Sequence, residues 1–248
     1  TSLALHVYDH CPFCNRVEFL MGKMGISYER VLYHYGEGAD PAECGGTGFN
    51  PGGGPVTLTG KKMLPVLVGE GVPAPVGAKG MAESLEICSY LAAHAEGGSV
   101  IAPATGRPDV DDWRARFKEV STPLTRPRIT KVPGVYDWTD PQDEAYARWK
   151  YSTKFGFDYD AAVAMTPDLL PKASKLLAQL EGLLRGQDED GVPCLNQWGF
   201  SMDDVMLLPD LRMISCVKGV EWPELVKSYF ERNCGRSRLD SYAEHAVA

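Results

Sequence analysis

Leu3-Ala4-Leu5-His6-Val7-Tyr8, followed after Asp9-His10 by Cys11-Pro12-Phe13-Cys14 and then by Asn15-Arg16-Val17-Glu18-Phe19-Leu20-Met21-Gly22-Lys23-Met24, is the stretch on which the fold turns. The first run is apolar and reads as a buried strand. In the last run Val17, Phe19 with Leu20, Met21 and Met24 recur at helical spacing. Two thiols therefore stand at a strand-to-helix junction, the first at or near the helix N-cap. Unpaired backbone N–H groups and the helix dipole favour negative charge there. The thiolate is the reactive form of cysteine, and such a position lowers its pKa from about 8.5 toward neutrality. Pro12 suits the first helical turn, where its missing N–H is not needed. Arg16, one turn on, adds positive potential, and Cys14 is close enough in sequence to close a disulfide with Cys11.

Two plainer readings compete with redox chemistry. A Cys-x-x-Cys pair can be half of a zinc site, but zinc takes four ligands, usually from a second such pair or a pair of histidines. Cys44, Cys88, Cys194, Cys216 and Cys234 are scattered with no second pair, and the best completion, His34 with Cys44, has irregular spacing. No metal is expected. Two inert core cysteines are the other reading, and the junction of strand and helix speaks against it.

Bulk properties narrow the classes. With 248 residues the chain can bury a full core as one large or two small domains. A formal net charge of -8 disfavours a nucleic-acid partner, which would require a basic stripe to meet phosphates. No apolar run approaches the 18 residues of a membrane span. Seven cysteines, an odd number without framework spacing, suit free thiols in a reducing compartment. That compartment is expected to be the cytoplasm, or an organelle interior if Thr1 is a processed start.

To about residue 96, strand and helix signals alternate. Tyr28-Glu29-Arg30-Val31-Leu32-Tyr33 reads as a second strand, parallel to the first across the helix. Residues 36–54 hold eight glycines and read as an insertion loop with little capacity to pack, mobile or partner-facing. Its Cys44 is expected to be an exposed bystander, with a third redox thiol as the alternative. Met63-Leu64-Pro65-Val66-Leu67-Val68 is a strand whose proline marks its first residue or a turn. Glu83–Ala92 is an amphipathic helix that places Cys88 in the core. Residues 97–108, rich in glycine and proline, read as a linker. Beyond it the pattern predicts helices only: 109–119, 141–157, 169–185, 202–216 and 222–233. Ser201-Met202-Asp203-Asp204 forms a capping box with Asp as its last member, and Phe200 with Val205 forms the accompanying staple. Pro209 falls inside that helix.

Taken together these segments resemble the glutaredoxin 2 family. The first part is similar to a glutaredoxin of the thioredoxin fold, and the attached all-helical part is similar to that of two-domain glutathione transferases. The residues that carry the resemblance are Tyr8-Asp9-His10-Cys11-Pro12-Phe13-Cys14, Leu64-Pro65-Val66-Leu67, Ala82-Glu83-Ser84-Leu85-Glu86-Ile87, Ser201-Met202-Asp203-Asp204 and Trp222-Pro223. The expected fold is accordingly α/β plus all-α: a thioredoxin-like domain over residues 1–96, the linker, and a helical domain over residues 109–248.

The resemblance also implies roles. Cys11 is the nucleophile and Cys14 the resolving thiol. Pro65 is a cis-proline facing the site, with the Leu64 backbone pairing with the cysteinyl part of glutathione. Glu83 and Ser84 receive the γ-glutamyl end, where an acid meets the ammonium and a helix N-terminus meets the carboxylate. The implied activity is glutathione-dependent reduction of protein–glutathione mixed disulfides or protein disulfides, with glutathione as co-substrate and such proteins as partners. Two departures stand out: the glycine-rich insertion before Leu64-Pro65, and Ala82 where proline is expected. Two rival readings remain. A glutathione transferase or dehydroascorbate-reductase-like enzyme would need an apolar second pocket from side chains such as Trp113, Phe117 and Tyr136. A transferase-like subunit without catalysis would use the insertion as its contact.

Overall fold

The computed structural model describes residues 3–94 and 101–248; Thr1 and residues 97–100 of the expected linker lie outside these. The chain divides into two compact units that interleave in sequence. One joins the residues up to Val17 and those from Ile26 onward with a later segment, Pro133–Asp158; the other joins Glu18–Gly25 with the residues up to Val132 and Tyr159–Ala248. Each unit thus takes a piece from beyond the composition change near residue 96.

In the first unit, strand β1 (Leu3–Val7) leads into helix α1 (Pro12–Lys23), whose first half belongs to this unit, and then strand β2 (Tyr28–Leu32). Leu5 and Val7 are fully buried while His6 between them is not, the period of two expected of a strand covered on one face. A short helix α2 (Val56–Thr59) precedes strands β3 (Val66–Val68) and β4 (Met81–Ala82) and helix α3 (Ser84–His94). β1 runs parallel to β2, β3 antiparallel to β1, and β4 antiparallel to β3, in the order β2-β1-β3-β4. This is the mixed sheet of a thioredoxin-like domain. One row of the register matters most: His6 is opposite Val66, and Val66 is opposite Ala82. The residues that follow β1, those that precede β3 and those that follow β4 therefore all emerge at one end of the sheet.

The glycine-rich stretch 36–54 departs from expectation, because it is folded on itself. Gly38 N–H donates to the Phe49 carbonyl at 2.9 Å, Gly46 N–H to the Pro41 carbonyl at 2.8 Å, and Gly36 N–H to the Asp143 carboxylate at 2.7 Å. Cys44 is correspondingly buried, not an exposed bystander; its S–H donates to the Asp40 carbonyl at 2.9 Å and its sulfur accepts from Gly48 N–H at 3.1 Å. A Cβ at Gly48 would lie 2.4 Å from the Ala39 carbonyl oxygen and 2.7 Å from Cys44 Sγ. Glycine here permits close backbone approach, so a composition that looks unable to pack is what lets this loop close.

The second unit contains α4 (Pro108–Ile129), α6 (Tyr159–Ala164), α7 (Thr166–Glu181), α8 (Met202–Ile214) and α9 (Glu224–Ser237). The segment lent to the first unit holds a 3-10 turn (Tyr136–Trp138), α5 (Pro141–Trp149) and a π-turn (Lys150–Lys154). Helix α4 runs ten residues past its expected end at 119, through Pro123 and Pro127. A proline removes one helical hydrogen bond, and packing against α6, α7 and α8 with Leu124 and Ile129 buried offsets that loss. A two-stranded ladder, β5 (Gly186–Gln187) with β6 (Pro193–Cys194), interrupts the helices and corrects the expectation of helices alone. The capping box forms as read. Asp204 accepts from Ser201 N–H at 2.8 Å, and Ser201 Oγ accepts from Asp203 N–H at 3.3 Å. Asp204 also takes Leu195 N–H and the Tyr229 hydroxyl, each at 2.9 Å. Burial still pushes its carboxyl up to about 6, and its work is structural.

The second half of α1 meets α9 within this unit at Gly22, where a Cβ would lie 2.4 Å from Ser237 Cα. The neighbour is backbone and cannot swing away. Gly22→Ala is therefore expected to cost about 1–3 kcal/mol, read as a melting temperature lower by several degrees; an unchanged melting temperature would show that the two helices separate freely.

Candidate active site

The turn between β1 and α1 is built by short-range bonds and one distant residue. Cys11 N–H donates to the Tyr8 carbonyl at 3.2 Å, and Asn15 N–H to the Cys11 carbonyl at 3.0 Å. The buried Asn15 side chain donates to the Asp9 carbonyl at 3.0 Å. From 127 and more residues away, the fully buried Asp137 carboxylate accepts Asp9 N–H at 2.8 Å and His10 N–H at 2.7 Å, and pairs with His10 Nδ1 at 2.6 Å. Asp9 itself pairs with Arg30 at 2.6 Å.

Within this turn Cys11 is half-buried and Cys14 fully buried, while Phe13 between them is 54% exposed under the Arg16 guanidinium. The Cys11 thiol is held down at about 7. The Cys14 S–H donating to the thiolate is the main cause. Burial opposes it, and the charge of His10 and the backbone N–H groups of Cys14 and Phe13 add to it. Four other thiols behave oppositely: burial pushes Cys88, Cys216 and Cys234 up to about 12 and Cys194 higher. Only a thiol that ionises near neutrality is a useful nucleophile there.

Beside the thiols, two lysines share an aromatic enclosure. Lys62 Nζ donates to the Tyr8 hydroxyl at 2.8 Å and to the Tyr35 carbonyl, with the Tyr146 ring centroid 4.7 Å away. Lys150 Nζ donates to the Tyr35 hydroxyl at 3.0 Å, and that hydroxyl shares a further bond of 3.0 Å with Tyr151. Burial, then the charge of Lys150, pulls Lys62 down to about 7. Lys150 is lowered by burial as well, with negative charge on Cys11 opposing the fall. Lys150 and Tyr151 sit on the π-turn, a helix irregularity common at functional sites.

The register brings the other expected residues to the same end of the sheet. The Leu64–Pro65 peptide bond is cis, and both residues are buried just ahead of β3. Ser84, buried, opens α3 immediately after β4. Glu83, exposed, adopts a left-handed φ of 70°, a conformation that non-glycine residues hold at a cost of about 1–3 kcal/mol and that clusters at functional sites. Two helix N-termini, those of α1 and α3, thus open at this end.

Sequence reading missed Asp137, Lys62, Lys150, Tyr35 and Tyr151 as site residues, and His10 was read only as part of the motif. None lies in a pattern that local spacing would expose. Trp113 and Phe117, the core of the pocket expected for a transferase, are instead stacked 4.6 Å apart in the interior of the second unit, with Trp113 Nε1–H on the Leu176 carbonyl. Tyr136 is 39% exposed in the other unit. Among the described residues no group of three or more His, Cys, Asp or Glu could hold a metal ion, and no helix is long and apolar enough to cross a membrane.

Comparison with known proteins agrees with this architecture. The glutathione S-transferase N-terminal domain family matches residues 10–94, and the glutaredoxin 2 C-terminal domain family matches residues 109–246, more than half of the chain. The chain is 24% identical to glutaredoxin 2 of Escherichia coli K12 over 247 residues, covering 99% of this chain and all of that protein. The structure of glutaredoxin 2 from Salmonella typhimurium, in complex with glutathione, superimposes with a TM-score of 0.78 at 22% identity, covering 100% of both chains. Glutathione transferase F7 from Populus trichocarpa shares the fold more distantly, with a TM-score of 0.51 at 16% identity over 99% of this chain and 100% of that one. With its paired thiols at the start of α1 and more than half its length matched, the chain belongs to the glutaredoxin 2 family.

Proposed function

We propose that this glutathione-dependent oxidoreductase works through Cys11 on protein–glutathione mixed disulfides and protein disulfides. The observation that carries the reading is the row His6–Val66–Ala82, which gathers the Cys11 turn, the cis Leu64–Pro65 bond and the Ser84 helix start at one sheet end. The Cys11 thiolate attacks the glutathionyl sulfur of the mixed disulfide. A Cys11–glutathione disulfide forms as the substrate's S–S bond breaks, and the substrate leaves as thiolate and takes a proton from solvent. A second glutathione thiolate then attacks the bound glutathionyl sulfur, releasing oxidised glutathione and restoring the Cys11 thiolate. In the dithiol route Cys14 resolves instead and the Cys11–Cys14 disulfide is reduced by two glutathiones.

Glutathione is held through three contacts on this reading. The Leu64 backbone, beside Pro65, pairs with the cysteinyl part; Ser84 at the start of α3 receives the γ-glutamyl carboxylate, and Glu83 its ammonium. The exposed Phe13 offers an apolar edge to the protein substrate. The test is glutathione-dependent turnover of a small glutathione mixed disulfide, coupled to glutathione reductase. Sustained turnover is expected. A folded protein that conjugates a test electrophile but leaves the disulfide intact would replace this reading with the transferase one.

A further inference from the structure

Two hydrogen bonds from Asp137 would suffice to pin the β1–α1 turn, since it accepts both Asp9 N–H and His10 N–H. Its third contact, to His10 Nδ1, concerns the residue just before the nucleophile. An ionised carboxylate only accepts, so Nδ1 carries the proton and Nε2 is left to take a second. Burying an anion is costly unless a cation answers it. The ring lies among the aromatic faces of Trp138 at 4.5 Å, Tyr35 at 4.9 Å and Tyr8 at 6.4 Å, none of which supplies that cation.

We propose that Asp137 is a positioning residue for the thiol chemistry: it holds the His10 imidazole beside Cys11 and supports its positive charge, which in turn stabilises the Cys11 thiolate. Residue 137 belongs to the part of the sequence matched to the C-terminal domain, yet it completes the redox turn inside the first unit. Also bearing on Cys11 are the Cys14 S–H, the backbone N–H groups of Phe13 and Cys14, the Lys150 ammonium, and the Tyr8 and Tyr35 hydroxyls. The inference rests on Cys11 as nucleophile, but its test reads the thiol itself and needs no turnover.

The sign of one substitution separates the roles. Removing an anion near a thiol makes the thiol more acidic by direct electrostatics. If Asp137 acts through His10, Asp137→Asn must do the opposite, because the imidazolium loses its support. The experiment is the pH dependence of Cys11 alkylation by iodoacetamide in the fully reduced protein, located by peptide mass mapping. The inflection is expected to rise by about one pH unit in both Asp137→Asn and His10→Gln, an about fivefold loss of thiolate at pH 7. The double variant should shift no further than His10→Gln alone. A lower inflection in Asp137→Asn, or additive shifts, would overturn the proposal. Should Asp137→Asn fail to fold, His10→Gln decides alone: an unmoved inflection there removes His10, and with it Asp137, from the chemistry. Lys150→Gln, run alongside, gauges the lysine's share. If it alone shifts the inflection, the field on Cys11 comes from the π-turn and the proposal fails.

Discussion

Cys11→Ser should lower glutathione-dependent disulfide reduction by about a thousandfold or more, whereas Cys14→Ser should retain most turnover on small glutathione mixed disulfides. The asymmetry follows from position. Cys11 is half-buried and ionises at about 7, while Cys14 is fully buried one turn into the helix. A serine hydroxyl at 11 stays protonated at neutral pH and cannot replace a thiolate. At 14 the case differs, because the Cys14 S–H acts there as a hydrogen-bond donor to Cys11. A serine O–H can donate in the same place, so Cys14→Ser should keep Cys11 acidic while losing the intramolecular resolving step. Steady-state assays on a small mixed disulfide and on a disulfide-bonded protein distinguish the two functions, and only the second should collapse in Cys14→Ser. Equal loss on both substrates would mean that every turnover passes through the Cys11–Cys14 disulfide. In the wild type, the rate at limiting disulfide should rise with pH and level off above about 7, as the thiolate fraction saturates.

Asp188→Ala carries the largest expected loss of stability. The Asp188 side chain is fully buried in the second unit and accepts Val192 N–H at 2.9 Å, Asp190 N–H at 3.0 Å, Lys23 Nζ at 3.0 Å and the Arg236 guanidinium. Lys23 is only 3% exposed at its side chain. Removing the carboxylate takes from two cations their one fully buried partner, leaving Lys23 with the exposed Glu189 at 2.6 Å and Arg236 with the exposed Asp190 at 2.7 Å. Breaking such a pair costs up to about 3–5 kcal/mol. Urea unfolding at pH 7 measures it; a loss below about 1 kcal/mol would mean that Glu189 and Asp190, with water, suffice for the two cations. The pH dependence provides a second check. Burial alone would raise the Asp188 carboxyl, but Arg236, the Val192 N–H and Lys23 outweigh it and hold the group well below the usual carboxylate range. A carboxyl depressed in the folded state adds stability that is complete above its unfolded value, about 3.9. That contribution drains away as pH falls toward the folded value. Wild type should therefore lose stability below about pH 4, and Asp188→Ala should lack that part of the acid limb.

Much of the site was legible because its chemistry is local. The Cys-Pro-Phe-Cys turn, the helix that follows and the strand before it all lie within two dozen residues, and each has a periodicity or a proline that identifies it. The same holds for Ser201 and Asp204, three residues apart, whose capping bonds depend on little else. The Trp113–Phe117 pair shows where local reading stops. Spacing marks these aromatics as one helical face, but whether that face lines a pocket or a core depends on what packs over it, and here Leu176 on α7 does. Cys44 erred the other way. Eight glycines in 36–54 suggested a loop without a core, yet glycine is what allows Gly48 to pass within reach of the Ala39 carbonyl and bury the thiol.

By itself the sequence determined the elements and the placing of the two thiols: β1, α1, the proline before β3, the start of α3, and two cysteines three residues apart at a strand-to-helix junction. These rest on neighbours one to four residues apart, whose contacts any chain of that sequence forms when it adopts the helix or strand. Only the tertiary structure decided which charges surround Cys11. Asp137 reaches His10 across 127 residues, and Lys150 reaches the Tyr35 hydroxyl across 115. A lysine in an aromatic enclosure owes its lowered pKa to desolvation, and desolvation belongs to the packed fold, not to any short stretch of chain.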